Sequence, residues 1–122
     1  MTFWRGLFAV AALFNFAVAA AMLAAPAQVA ERLDISGPGG PFAILMTAIL
    51  IGAFGVGYAL VARAPAQNRG IVWIGAIGKL GVVVLAAMQY GAGIVPAGTF
   101  ALSLGDLVFV LLFALFLWRG PR

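Results

Sequence analysis

Four long apolar runs of membrane length dominate this chain and leave few folds open to it. They extend from about Phe3 to Ala25, Pro41 to Ala62, Ile71 to Tyr90 and Thr99 to Trp118. Each is roughly 20 residues, which at about 1.5 Å of helical rise per residue matches a hydrocarbon core of about 30 Å. None shows the apolar/polar alternation of a transmembrane strand. Composition agrees, since 66% of the 122 residues are hydrophobic and 8% are charged. A soluble domain of this size has about a quarter of its residues charged. The reading is an all-α integral membrane protein: four transmembrane helices in an antiparallel up-down bundle, one domain across residues 1–122.

The first run is longer than the apolar stretch of a signal peptide, so it reads as a span despite Ala25-Pro26-Ala27 behind it. Arg5, Arg63, Arg69, Arg119 and Arg122 fall on one side of the four spans and Arg32 on the other. The positive-inside rule then places both termini in the cytoplasm and the chain in the cell (inner) membrane. Trp4, Trp73 and Trp118 all land at the cytoplasmic ends of their spans, as one half of an aromatic belt. The basic residues form no run or stripe, so nucleic acid is not an expected partner.

Between the first two spans, Ala27 to Ile35 places Val29 and Leu33 on one helical face, with Glu31, Arg32 and Asp34 elsewhere. This predicts a short helix on the outer membrane interface. The Ser36-Gly37-Pro38-Gly39-Gly40-Pro41 stretch is expected to break it before the second span. The segment reads as a solvated connector or as a lid over an external opening.

Chemistry is confined by what is missing. There is no Cys and no His, hence no thiolate, no imidazole base and no usual metal site; no cofactor is expected. An enzyme would have to run on Asp106, Lys79 and Tyr58 alone. Small four-helix multidrug exporters share this length and helix number, but they carry a glutamate within the first helix. Here the central polar residue of that span is Asn15.

Lys79 and Asp106 are the charges lipid should forbid. Lys79 lies roughly 12 Å from the inner interface and Asp106 roughly 10 Å from the outer one, by helical rise. An unpaired charge there costs about 2.5–3.5 kcal/mol, and pairing relieves it. Asn15 and Thr47 are expected at a similar level. Thr99, Ser103 and Asp106 share one helical face, and Gln89 extends a comparable stripe above Lys79. The expected centre is therefore Lys79, Asp106, Asn15, Thr47, Ser103 and Gln89, with a polar track leading outward. Phe109, Phe113, Phe116 and Trp118 would seal the inner side.

Two roles fit that centre. It binds or transports a small solute, ion or lipid-like ligand, or its ion pair simply sets helix register in an accessory subunit of a larger membrane complex. Gly52, Gly55, Gly57, Gly75, Gly78 and Gly81, together with Ala17-x-x-x-Ala21 and Ala48-x-x-x-Gly52, are read as close-packing positions within the bundle or between protomers of a homo-oligomer.

Overall fold

The computed structural model describes residues 2–122. Four long helices carry the apolar runs: α1 (Thr2–Ala24), α3 (Gly39–Arg63), α4 (Arg69–Gly91) and α5 (Ala97–Arg119). A short helix, α2 (Pro26–Arg32), fills the first connection, and a single 3-10 turn at Ala66–Asn68 joins α3 to α4. All four long helices are long and apolar enough to cross a membrane. The chain is thus an all-α, multi-pass membrane protein. Both termini of the bundle's chain path lie at one end, here called the termini end; the α1–α3 and α4–α5 connections lie at the far end.

Helix limits follow local chemistry. The connector helix stops at Arg32, short of the expected Ile35, because Asp34 adopts a left-handed conformation (φ 58°). Its N–H then bonds Glu31 O at 3.0 Å and the Ile35 N–H bonds Ala30 O at 2.9 Å, the two bonds of a Schellman motif. The α4 C-terminus repeats the motif with glycine: Gly93 (φ 74°) bonds Tyr90 O and Ile94 bonds Gln89 O. One expectation is corrected here. Gly39 and Gly40 lie outside the break, which ends at Pro38, and form the first turn of α3 together with Pro41, where the sequence already starts the second span. Proline is tolerated there because a first-turn N–H has no helical acceptor to lose. A side chain at Gly40 would meet Ile35 O at 2.8 Å, so glycine lets the returning loop lie directly on the helix.

The helices associate as two hairpins. In lipid there is no hydrophobic drive between apolar helices, so close packing of small residues has to hold them. α1 lies along α3 where Gly52 faces Ala19 and Gly55 faces Asn15 and Phe16. The packing face of α1 is Phe8, Ala11, Ala12, Asn15 and Ala19. Ala17 and Ala21 are exposed, so that small-residue pair is not a contact within the bundle. α4 and α5 form the second hairpin, with Tyr90 and Phe100 stacked at its far end (5.0 Å, 6°).

The hairpins meet through aromatic rings. Phe8 packs on Phe113 and Phe116 at 5.1 and 5.0 Å, Tyr58 on Phe113 at 5.1 Å, and Trp4 on Phe116 at 5.2 Å. Phe8, Tyr58, Phe113 and Phe116 form the buried core with Ala11, Ala12, Val61 and Val72, and Trp4 packs against it half-buried. That core occupies the termini half of the bundle. On the far side of Lys79 and Asp106, the second hairpin contributes only Val83 and Ser103 to the buried set.

Candidate functional site

The two intramembrane charges are paired. Lys79 Nζ donates to Asp106 Oδ1 at 2.6 Å, from α4 to its hairpin partner α5. Both sit among helices, with side chains 10% and 23% exposed respectively. In a low-dielectric interior a charge-assisted bond of this length offsets much of the cost of withdrawing both groups from water.

Asn15 connects this pair to the other hairpin. Its Nδ2 donates to Ile51 O on α3 at 3.0 Å, and its Oδ1 lies 3.5 Å from Lys79 Nζ. One amide thereby touches α3 and α4 while belonging to α1. Its orientation is set by these partners, since amide oxygen and nitrogen are told apart by their hydrogen bonds.

Three aromatic rings complete the surroundings of the ammonium. Phe14 on α1, Tyr58 on α3 and Phe109 on α5 place their centroids 5.6, 5.8 and 5.2 Å from Lys79 Nζ. Each distance falls within the range of a cation–π attraction. Tyr58 is held by its own packing: it is 1% exposed, and a side chain at Gly75 would meet its hydroxyl oxygen and ring. Sequence reading missed this cage. Phe109 falls three residues after Asp106 and Phe14 directly before Asn15, but nothing in the spacing tells an aromatic turned to a charge from one turned to lipid.

The remaining expected members separate. Thr47 is exposed and donates to Ala43 O of its own helix at 2.7 Å, so it is not part of the centre. The inward stripe of α3 runs through Ile44, Ala48, Gly55 and Tyr58, and Thr47 lies off it. In lipid a threonine meets its hydrogen-bonding need on the preceding turn. Ser103 is buried on the Asp106 face, but its hydroxyl donates to Phe100 O at 2.6 Å and not to the carboxylate. Gln89 is half-buried at the far end of α4, ten residues and about 15 Å of helical rise beyond Lys79. The outward track is thus interrupted; Ser103 is spent on its own helix and Gln89 stands apart.

The glycines divide similarly. Gly52, Gly55, Gly57 and Gly75 have neighbours at 3.8, 2.7, 3.0 and 2.5 Å from where a Cβ would stand, whereas Gly78 and Gly81 face open space. The latter two are not packing positions within this bundle.

Two residues read from the sequence only as topology markers, or not at all, close the termini end. Asn68 Nδ2 donates to Leu60 O and Ala64 O, capping α3. Arg69 donates to Leu117 O at 2.5 Å and Pro121 O at 2.7 Å while its guanidinium lies 5.1 Å from the Phe116 ring. A cation on the last carbonyls of a helix meets both its free acceptors and its dipole.

Two shallow concavities lie elsewhere. One is lined by the connector, including Glu31, Asp34 and Pro41; the other is an apolar groove between Ala53, Phe54, Gly57, Ile71 and Ile74. Among the described residues no cluster of His, Cys, Asp or Glu is placed to hold a metal.

Fold and site together define a four-helix, multi-pass membrane protein with one ion pair and an aromatic cage at mid-bundle. No family model, curated protein or solved structure matches this chain.

Proposed function

We propose that this protein binds and moves a small solute or ion at the Lys79/Asp106 centre, in the inner membrane, with both termini in the cytoplasm. One observation carries the reading. Asp106 commits Oδ1 to Lys79, while its Oδ2 accepts no hydrogen bond from the described residues and the side chain keeps 23% exposure. A carboxylate with spare acceptor capacity at mid-span is costly if it serves packing alone. The arrangement around it supports access from one side. The aromatic contacts between hairpins, from Trp4–Phe116 to Phe14–Phe109, all lie at the centre or on its termini side. The arginine distribution supports reading that as the cytoplasmic side.

The test is flux in proteoliposomes of the purified protein. Transport by wild type, lost in Asp106→Asn with the folded state intact, is the expected result. No solute flux or binding by wild type overturns it.

Gly78 and Gly81 favour a second reading. They lie on an outward face of α4 with Ile77 and Leu85, where another helix can approach closely. A homo-oligomer or a larger complex, with this chain as an accessory subunit, would use that face. Native mass spectrometry after mild solubilisation reports either assembly directly.

A further inference from the structure

The centre has the make-up of a receptor for an ammonium ion, and its resident ammonium belongs to the chain itself. Rings from three different helices face Lys79 Nζ, with a carboxylate at 2.6 Å and an amide oxygen at 3.5 Å. Aromatic faces joined to a counter-charge are how proteins recognise ammonium groups. Pairing Lys79 with Asp106 requires only the α4/α5 hairpin; the Phe14 and Tyr58 rings and the Asn15 amide come from the other one. The lysine reaches the cage on a flexible four-carbon stem, which equally lets it withdraw.

The ring faces and charge balance together favour a cation as the incoming solute. The titratable and polar groups facing the ammonium are Asp106 from α5, Tyr58 from α3 and Asn15 from α1, with Phe14 and Phe109 apolar. The resting centre, one ammonium and one carboxylate, is neutral. An anion would have to displace Asp106 from Lys79, bring a proton for the freed carboxylate, and lie against the electron-rich faces of three rings, which repel it. A cation entering beside Lys79 would leave net positive charge. Neutrality returns if the cation takes the ammonium's place and Lys79 gives up a proton.

We propose that Phe14, Tyr58, Phe109 and Asp106 form a site for a small primary alkylammonium ion, which replaces the Lys79 ammonium in exchange for one proton. This rests on the reading that the centre takes up a solute, and it names the class. In the exchange one N–H bond of Lys79 breaks, its electron pair stays on Nζ, and the proton leaves to water. Asp106 keeps its negative charge and pairs with the incoming cation, so the site binds one cation per proton released.

The probe is n-butylammonium, the untethered equivalent of a lysine tip. Titrated calorimetrically into detergent-solubilised wild type in buffers of different ionisation enthalpy, it is expected to release close to one proton per cation bound, and Asp106→Asn abolishes binding. In Lys79→Ala the cage is empty. There n-butylammonium is expected to raise the unfolding temperature saturably and without proton release, while n-butylsulfonate does not. Should Lys79→Ala not fold, Lys79→Gln serves the same comparison, and the proton count on wild type stands without either variant. Cation binding by wild type without proton release, or no response of a folded Lys79 variant to n-butylammonium, overturns the proposal. An anionic or neutral solute whose binding is lost in Asp106→Asn overturns the cation class while leaving the solute-binding reading intact.

Discussion

Lys79 and Asp106, 27 residues apart on neighbouring helices, meet at 2.6 Å within one hairpin and not across the bundle. The pair therefore neutralises α4 and α5 without a contribution from the other hairpin. Asn15, which reaches both Ile51 O and Lys79, joins the two halves at the same level. Charge neutralisation and assembly are thus assigned to different residues, and substitutions should separate them.

Removing one partner of the pair leaves a bare charge in a low-dielectric site. Lys79→Met and Asp106→Leu are each expected to cost about 3 kcal/mol of stability. The double substitution restores most of the loss, because two apolar side chains carry no desolvation cost. Denaturant or SDS unfolding of the four proteins in a double-mutant cycle measures the coupling. Independent, additive losses would mean that the two side chains do not share a bond in the membrane.

Asn15→Leu cuts the tie between hairpins without introducing a charge. Hydrogen bonds between membrane helices average about 0.6 kcal/mol and reach about 1.7. A loss near 1 kcal/mol is expected, against no measurable change for Thr47→Val, whose hydroxyl bonds only its own helix. The same unfolding assay compares the two.

Glycine substitutions in α4 test the rotation of that helix. A Cβ at Gly75 would stand 2.5 Å from the Tyr58 hydroxyl oxygen, and Tyr58 is itself fully buried among other side chains. Gly75→Ala is expected to cost about 1–3 kcal/mol through overpacking and to displace a ring from the cage. Gly78→Ala and Gly81→Ala meet nothing in the monomer and should fall within about 0.5 kcal/mol of wild type. A loss at Gly78 or Gly81 accompanied by dissociation would place a protomer interface on that face.

At the termini end, Arg69→Gln removes a charged fork from the carbonyls of Leu117, Gly120 and Pro121. A loss of about 1–2 kcal/mol is expected, with faster hydrogen exchange in the last turn of α5, where the Gly120 N–H bonds Phe116 O. Arg69→Lys keeps the charge but not the planar fork, and should recover only part of the protection.

Orientation is checked by labelling, since the chain has no native cysteine. A thiol introduced as Gln67→Cys is expected to react with an impermeant reagent only after the inner face is opened, and Ser36→Cys in intact cells. The reverse pattern would invert the topology and put the aromatic core on the outer side.

The spans were legible because lipid imposes one rule on the whole chain: about 20 apolar residues per crossing, with every backbone group bonded within its helix. That rule located all four helices within two residues of where they lie. Local turn chemistry was harder. Asp34 serves as the left-handed cap of α2, a position usually held by glycine, and α3 starts at Gly39 and Gly40, where the composition reads as a break, two residues ahead of Pro41. In both places local hydrogen bonds and the close approach of Ile35 O to Gly40 decide the outcome, and the hydrophobic period carries no trace of either.

Lys79 and Asp106 stand out from sequence alone because a charge in an apolar run has few explanations. Their partners do not, because which way a helix turns about its axis is set by packing. In water, the polar face of a helix announces that rotation; in lipid, both faces are apolar and the pattern is silent. Thr47 shows the consequence: height in the membrane placed it with the centre, and rotation put it outside. Height, span number and the presence of two intramembrane charges were determined by the sequence itself, through the thickness and dielectric of the bilayer. Only the tertiary structure decided that Asn15 ties the hairpins together, that Arg69 caps α5, and that Phe14, Tyr58 and Phe109 turn inward around one ammonium, because each of those depends on contacts between helices that share no sequence period.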